Sequence, residues 1–151
     1  MPNYWLMKSE PDAFSIDDLA AMQVSPWDGV RNYQARNFMK KMQLGDQIFF
    51  YHSSCKPAGI VGIAEVVKEA YPDYTSWDPK SAYFDAKSTP TQPRWFMVDV
   101  AFVTKFPRLI SLAELKEDAA LNEMPLTQKG SRLSIMPIRN EDWDRIQQHL
   151  K

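Results

Sequence analysis

The chain has 151 residues, 44% of them hydrophobic and 25% charged, with a formal net charge of -1. That size suits one domain with a real core, and the balance excludes extended disorder. The near-neutral charge excludes a protein that coats nucleic acid through many phosphate contacts, because such binding scales with the cations presented. A single cysteine, Cys55, excludes an intramolecular disulfide, and no run approaches the ~18 apolar residues needed to span a bilayer. The N-terminus carries no secretory pattern, so a cytoplasmic protein is expected, or a nuclear one in a eukaryote.

Tyr4-Trp5-Leu6-Met7 is short, apolar and aromatic and ends before Pro11, so it reads as an inner strand. Ser15-Ile16-Asp17-Asp18 has the form of a capping box and opens a short helix. A turn at Asp28-Gly29 then leads into a helix beginning near Asn32, whose Ala35, Phe38, Met39 and Met42 fall on one face. Leu44-Gly45-Asp46 stops that helix. Gln47 to His52 is apolar on both faces, which predicts a fully buried strand, and Ile60 to Val67 predicts another, with Gly62 marking a bulge or a close backbone approach.

Residues 70 to 94 are rich in Pro, Asp, Ser, Thr and aromatics and read as a long irregular insertion, with a short strand at Ala82-Tyr83-Phe84-Asp85. Trp95 to Val103 is the clearest strand, with Phe96, Val98, Val100 and Phe102 on one face and Pro107 closing it. Ser111 to Glu114 has the form of a second capping box. Asn140 is expected to cap the last helix, with Trp143, Ile146, Gln147 and Leu150 as its inner stripe. Strands of uneven length without regular strand-helix alternation predict a single α+β domain over residues 1–151, a curved antiparallel sheet or small barrel with short helices outside.

The chemistry-bearing groups gather at strand ends and a helix start: Lys8-Ser9-Glu10, Trp27, Arg31-Asn32-Tyr33, Tyr51-His52 and Trp95. If they converge, they form a partly apolar pocket with a few fixed donors and acceptors, which suits a flat heterocycle. The backbone N–H groups at the helix start would also suit an anion or a polar ligand edge. His52 near Cys55 supplies too few ligands for zinc, and the usual marks of nucleotide hydrolysis, dinucleotide binding and serine hydrolysis are missing from the sequence. Neither a metal nor a cofactor is expected. An enzyme using Glu10 or His52 as acid or base, and a protein-interaction module built on residues 70 to 94, are the alternatives.

Three runs carry a resemblance. Trp5 to Pro11 resembles the W-x-x-K-S-E-P opening of the EVE domain, Trp27 to Asn37 its W-D-G-V-R-N-Y-Q-A-R-N, and Gly45 to Ser53 its G-D-x-x-F-F-Y-H-S. The resemblance implies a PUA-like pseudo-barrel with flanking helices, a non-enzymatic role and, as partner, a nucleic acid carrying a modified base. It implies a base-binding pocket of Ser9, Glu10, Trp27, Asn32, Tyr33, Tyr51, His52 and Trp95. Trp27 would stack on or wall the base, Asn32, Ser9 and Glu10 would bond its edge, and Lys8, Arg31, Arg36 and Lys40 would meet phosphate.

Overall fold

The computed structural model of the protein describes residues 3–130 and 132–151. The strands are β1 (Tyr4–Ser9), β2 (Val24–Pro26), β3 (Gln47–His52), β4 (Gly59–Pro72), β5 (Phe96–Ser111) and β6 (Ile135–Ile138). They form one sheet in the order β2-β5-β4-β3-β1-β6. The helices are α1 (Ile16–Met22), α2 (Tyr33–Lys41), α3 (Leu112–Lys116) and α4 (Asn140–Gln148). The fold is thus α+β, as expected, with one departure in detail: β1 pairs with β3 in parallel, while the other pairings are antiparallel. Among the described residues, no helix is long and apolar enough to cross a membrane.

The sheet is buried on both faces, which is why β1 and β3 carry apolar residues without alternation. Trp5 and Met7 of β1 and Ile48 and Phe50 of β3 join one core, with Leu19, Met39 and Trp27. Leu6, Phe49 and Tyr51 point the other way, into a second core closed by Leu115, Trp143 and Ile146. Successive strand side chains face opposite sides, so one strand feeds both cores. Asp46 ties the layers together: it is buried and accepts from the Trp5 indole at 2.9 Å and the Gln43 amide at 3.0 Å.

Several local expectations are corrected. Pro107 does not close β5, which runs on to Ser111. Pro107 falls where the β4 register jumps from Ile60↔Ile110 to Gly62↔Lys105, so its missing N–H removes no ladder bond. Gly62 lies at that irregularity, and a Cβ there would come within 2.4 Å of the Thr104 carbonyl oxygen, so both readings of this glycine apply. Residues 82–85 form no strand: 82 and 83 make a turn, which the Phe84 amide closes by donating to the Ser81 carbonyl. Asn140 is the first residue of α4 and Arg139 its N-cap, with no side-chain cap. Ser111 does cap α3, accepting from the Glu114 amide, but the Glu114 carboxylate turns away to Arg108 and His149.

Candidate functional site

A cavity of about 650 Å³ opens where the end of β1 meets β2 and the turn before α2. That volume lies within the usual range for small-ligand sites. Its walls include Lys8, Ser9 and Glu10 from β1 and the following turn, Phe14, and the run from Pro26 to Arg31. Tyr83, from the irregular segment, closes one side.

Trp27 is only 8% exposed and packs edge-to-face with Phe14 and Phe50 at 6.2 and 5.4 Å. Among the described residues its Nε1 has no acceptor, yet no fully buried side-chain nitrogen or oxygen among them lacks a partner. The indole N–H therefore borders accessible space, and Trp27 lines the cavity. Trp27 offers a wall and a donor more than an open ring face.

Lys8 is held over the Tyr51 ring, 5.6 Å from its centre, and burial pushes its ammonium pKa down. Neither the Lys8 ammonium nor the Glu10 carboxylate has a hydrogen-bond or ion-pair partner among the described residues. Ser9 donates to the Phe14 carbonyl at 2.6 Å, which leaves its oxygen available as an acceptor. Burial, and then the neighbouring Asp73, push the Asp28 carboxyl up from the ordinary range. The cavity thus presents two donors, Trp27 and Lys8, against the carboxyl groups of Glu10 and Asp28.

The turn that shapes this wall is built around a buried carboxylate that the sequence reading did not single out. Asp73 is fully buried and accepts from the Gly29 amide at 2.9 Å, from Arg31 Nη1 at 3.1 Å and from both the amide and hydroxyl of Thr75. Gly29 sits at φ +80, and a Cβ there would lie 2.7 Å from the Tyr83 ring. Only glycine lets Tyr83 lie this close over the turn. Arg31 locks the arrangement, with Nε and Nη2 donating to the Tyr83 carbonyl at 2.9 and 2.7 Å, Nη1 to Val30 and Asp73, and Nη2 also to Thr75. A guanidinium has five N–H donors. All five have protein acceptors, so Arg31 holds the wall and has no donor left for a phosphate.

The other expected residues lie elsewhere. Asn32 caps α2, its side chain accepting from the Ala35 amide at 2.9 Å. His52 accepts at Nε2 from the Ile16 amide at the start of α1, and burial lowers its pKa. Tyr51 belongs to the second core. Tyr33 and Trp95 stack on each other at 4.7 Å outside the cavity, and Arg36 and Lys40 sit over Tyr33 and Phe96. Of the twelve residues expected from the sequence, Lys8, Ser9, Glu10, Trp27 and Arg31 line the cavity. Asp28 lies within the motif, where Asp-Gly signals only a turn; Tyr83 carries only the signal of a short strand, and Asp73 none beyond an irregular, polar segment.

This fold, with the cavity at the end of β1, places the chain in a family. It belongs to the EVE domain family, whose model matches residues 3–149. It is similar to thymocyte nuclear protein 1 of Mus musculus, 46% identical over 165 residues, which cover 97% of this chain and 73% of that protein. A crystal structure of a protein from Pseudomonas syringae is 53% identical, with a TM-score of 0.96 over 98% of this chain and 99% of that one. Human THYN1 protein, crystallised in complex with 5-methylcytosine-containing DNA, is 44% identical, with a TM-score of 0.90 over 99% and 98% of the two chains.

Proposed function

We propose that this protein binds one modified nucleobase, flipped out of its strand, in the cavity beside Trp27, and that 5-methylcytosine in DNA is the first ligand to test. The observation that carries the reading is the likeness, over 99% of this chain and 98% of the crystallised one, to human THYN1 protein, whose crystal contains 5-methylcytosine DNA. The cavity's chemistry supports it. Cytosine presents one amino donor and two acceptors along its pairing edge, and unpaired carboxylate and ammonium groups beside an indole N–H complement that order.

Flipping a base costs a few kcal/mol, less where the pair is already weak. Trp27 exposes too little of its ring to return this by stacking alone. Tyr83 and Phe14 supply further aromatic wall, while Lys8 and Glu10 bond the edge. The methyl group, resting on apolar fit, adds only about 1 to 3 kcal/mol. Oligonucleotides carrying modified or plain cytosine and adenine, in DNA and in RNA, test this: one modified base should bind about 10-fold or more tighter than its plain form. Equal affinity for every oligonucleotide would sink the reading.

The protein acts as a binder and not as an enzyme in this reading. His52 is engaged at α1 and lies outside the cavity, so of the two acid-base candidates read from the sequence only Glu10 lines it. Formation of a product from modified nucleosides would favour the enzymatic alternative. A protein-contact role draws on Tyr74 and Phe84, both exposed on the irregular segment; Phe84→Ser would abolish such a contact and leave oligonucleotide binding unchanged.

A further inference from the structure

We infer that Tyr33, outside the cavity, is a stacking platform for an unpaired base next to the flipped one, flanked by Arg94, Arg36 and Lys40 as phosphate contacts. The identity of the partner rests on the proposed function, while the platform stands on its own geometry. Tyr33 is 51% exposed, yet it is held in place. One face stacks on Trp95 at 4.7 Å with the planes 24° apart, and Trp95 is itself fixed by donating to Asp85 at 2.7 Å. The Tyr33 hydroxyl accepts from Arg94 at 3.2 Å.

The Arg36 guanidinium lies 4.8 Å from the centre of Tyr33 and 5.9 Å from that of Trp95. A cation on the far face of Tyr33 would be separated from Trp95 by the stacking distance as well as its own, so Arg36 sits at the side of the pair. The outer face of Tyr33 is left to solvent. An exposed aromatic ring with one fixed face and one open face, bordered by cations, is what a sequence-tolerant single-strand site requires.

Helical spacing extends the surface. Tyr33, Arg36 and Lys40 fall at i, i+3 and i+7 of α2, so they share one stripe, which runs beside the buried Ala35 and Met39. Arg94 uses one N–H on Tyr33 and has no carboxylate partner among the described residues. The chain is near neutral, so this local gathering of cations is an asymmetry that suits a polyanion. Arg31 joins the two places: it lines the cavity and lies 5.5 Å from the Trp95 ring. A strand whose flipped base enters the cavity would present its neighbour to Tyr33.

The experiment uses single-stranded oligonucleotides carrying 5-methylcytosine or plain cytosine, with 2-aminopurine placed on its 5′ side in one set and its 3′ side in another. With the wild-type protein, 2-aminopurine emission should be quenched on binding in one of the two sets. Tyr33→Ala should remove the quenching and weaken binding of methylated and plain strands by the same factor, about 5- to 150-fold. Tyr33→Phe, which keeps the ring and loses only the hydroxyl, should retain both. Arg94→Gln should flatten the salt dependence of binding by about one phosphate contact.

Circular dichroism and thermal melting check that Tyr33→Ala stays folded. Unchanged affinity in folded Tyr33→Ala, or unquenched emission in both wild-type sets, would overturn the platform. Equal wild-type affinity for methylated and plain strands, with quenching that depends on Tyr33, would support the platform and sink only 5-methylcytosine as the cavity's ligand. If the wild type binds no oligonucleotide, both fall.

Discussion

Asn32 shows how a motif residue can serve the fold. Its side chain accepts from the Ala35 amide and starts α2, so its work is to fix the helix. Asn32→Ala should lower stability by about 1 kcal/mol, as loss of an N-cap does, and leave any preference among oligonucleotides unchanged; urea unfolding and binding measured side by side check this. Trp27 both packs and borders the cavity, since its ring fills the core and its Nε1–H reaches accessible space. Trp27→Ala would leave a cavity costing about 3 to 5 kcal/mol, so Trp27→Phe is the better probe. It should retain the fold and lose binding through the missing donor. Asp73 is the residue whose loss should do most harm: Asp73→Ala strips partners from the Gly29 amide, Thr75 and Arg31 together. A fall of about 2 to 4 kcal/mol in unfolding free energy is expected, with binding weakened in the protein that remains folded.

At the scale of elements, α1 is tied to β3 by the His52 ring, which accepts from the Ile16 amide and must be neutral at Nε2 to do so. Burial, with Lys105 in support and Asp17 opposing, holds its folded pKa below the ordinary 6.5. The unfolded chain therefore binds this proton more readily, so the stabilisation is complete above pH 6.5 and is lost as pH falls through the folded pKa. Melting temperature should drop between pH 7.5 and 5.5 by more in the wild type than in His52→Gln, which has no proton to gain there. Equal drops would show that His52 has no such part.

The same scale explains what the sequence made legible. The helix stripe of Ala35, Met39 and Met42, the Ser15 box and the doubly apolar β3 depend on local periodicity, and each appears in the structure. β2 and β6 escaped the reading because strands of three and four residues carry too short a period. Within the cavity, the wall residues from β1 and the turn were legible as motifs. Tyr83 and Asp73 were not, because their positions depend on contacts with residues 29 and 31 across more than forty residues of chain. Proximity of motifs likewise suggested one pocket, whereas Tyr33 and Trp95 stack on each other outside the cavity.

Across the whole molecule, the C-terminal helix is held to α3 and the turn after it by charge. His149 lies between Glu114 and Asp118, at 2.6 and 2.7 Å from its two ring nitrogens, and Arg108 and Arg145 pair with the same carboxylates. The Arg108 guanidinium, with His149 beside it, holds the Glu114 carboxyl down to about 2, against an ordinary 4.5. Such a group stabilises the fold above its unfolded pKa, and that stabilisation is lost as pH falls from about 4.5 towards 2. Glu114→Gln should thus lower the melting temperature at pH 7 and have little effect at pH 2.5, as calorimetry at the two pH values would show.

The tether between Tyr83 and the turn at Gly29 would couple occupancy of the proposed site to local opening. The carbonyl of Tyr83 is gripped by Arg31, so the segment from 78 to 87 can swing free only by releasing one wall of the cavity. Anything that binds the closed form alone must suppress that excursion, by an amount that grows with its concentration above the dissociation constant. Amide deuterium uptake across this stretch should therefore slow in proportion to saturation, giving a map of occupancy that needs no label on protein or ligand.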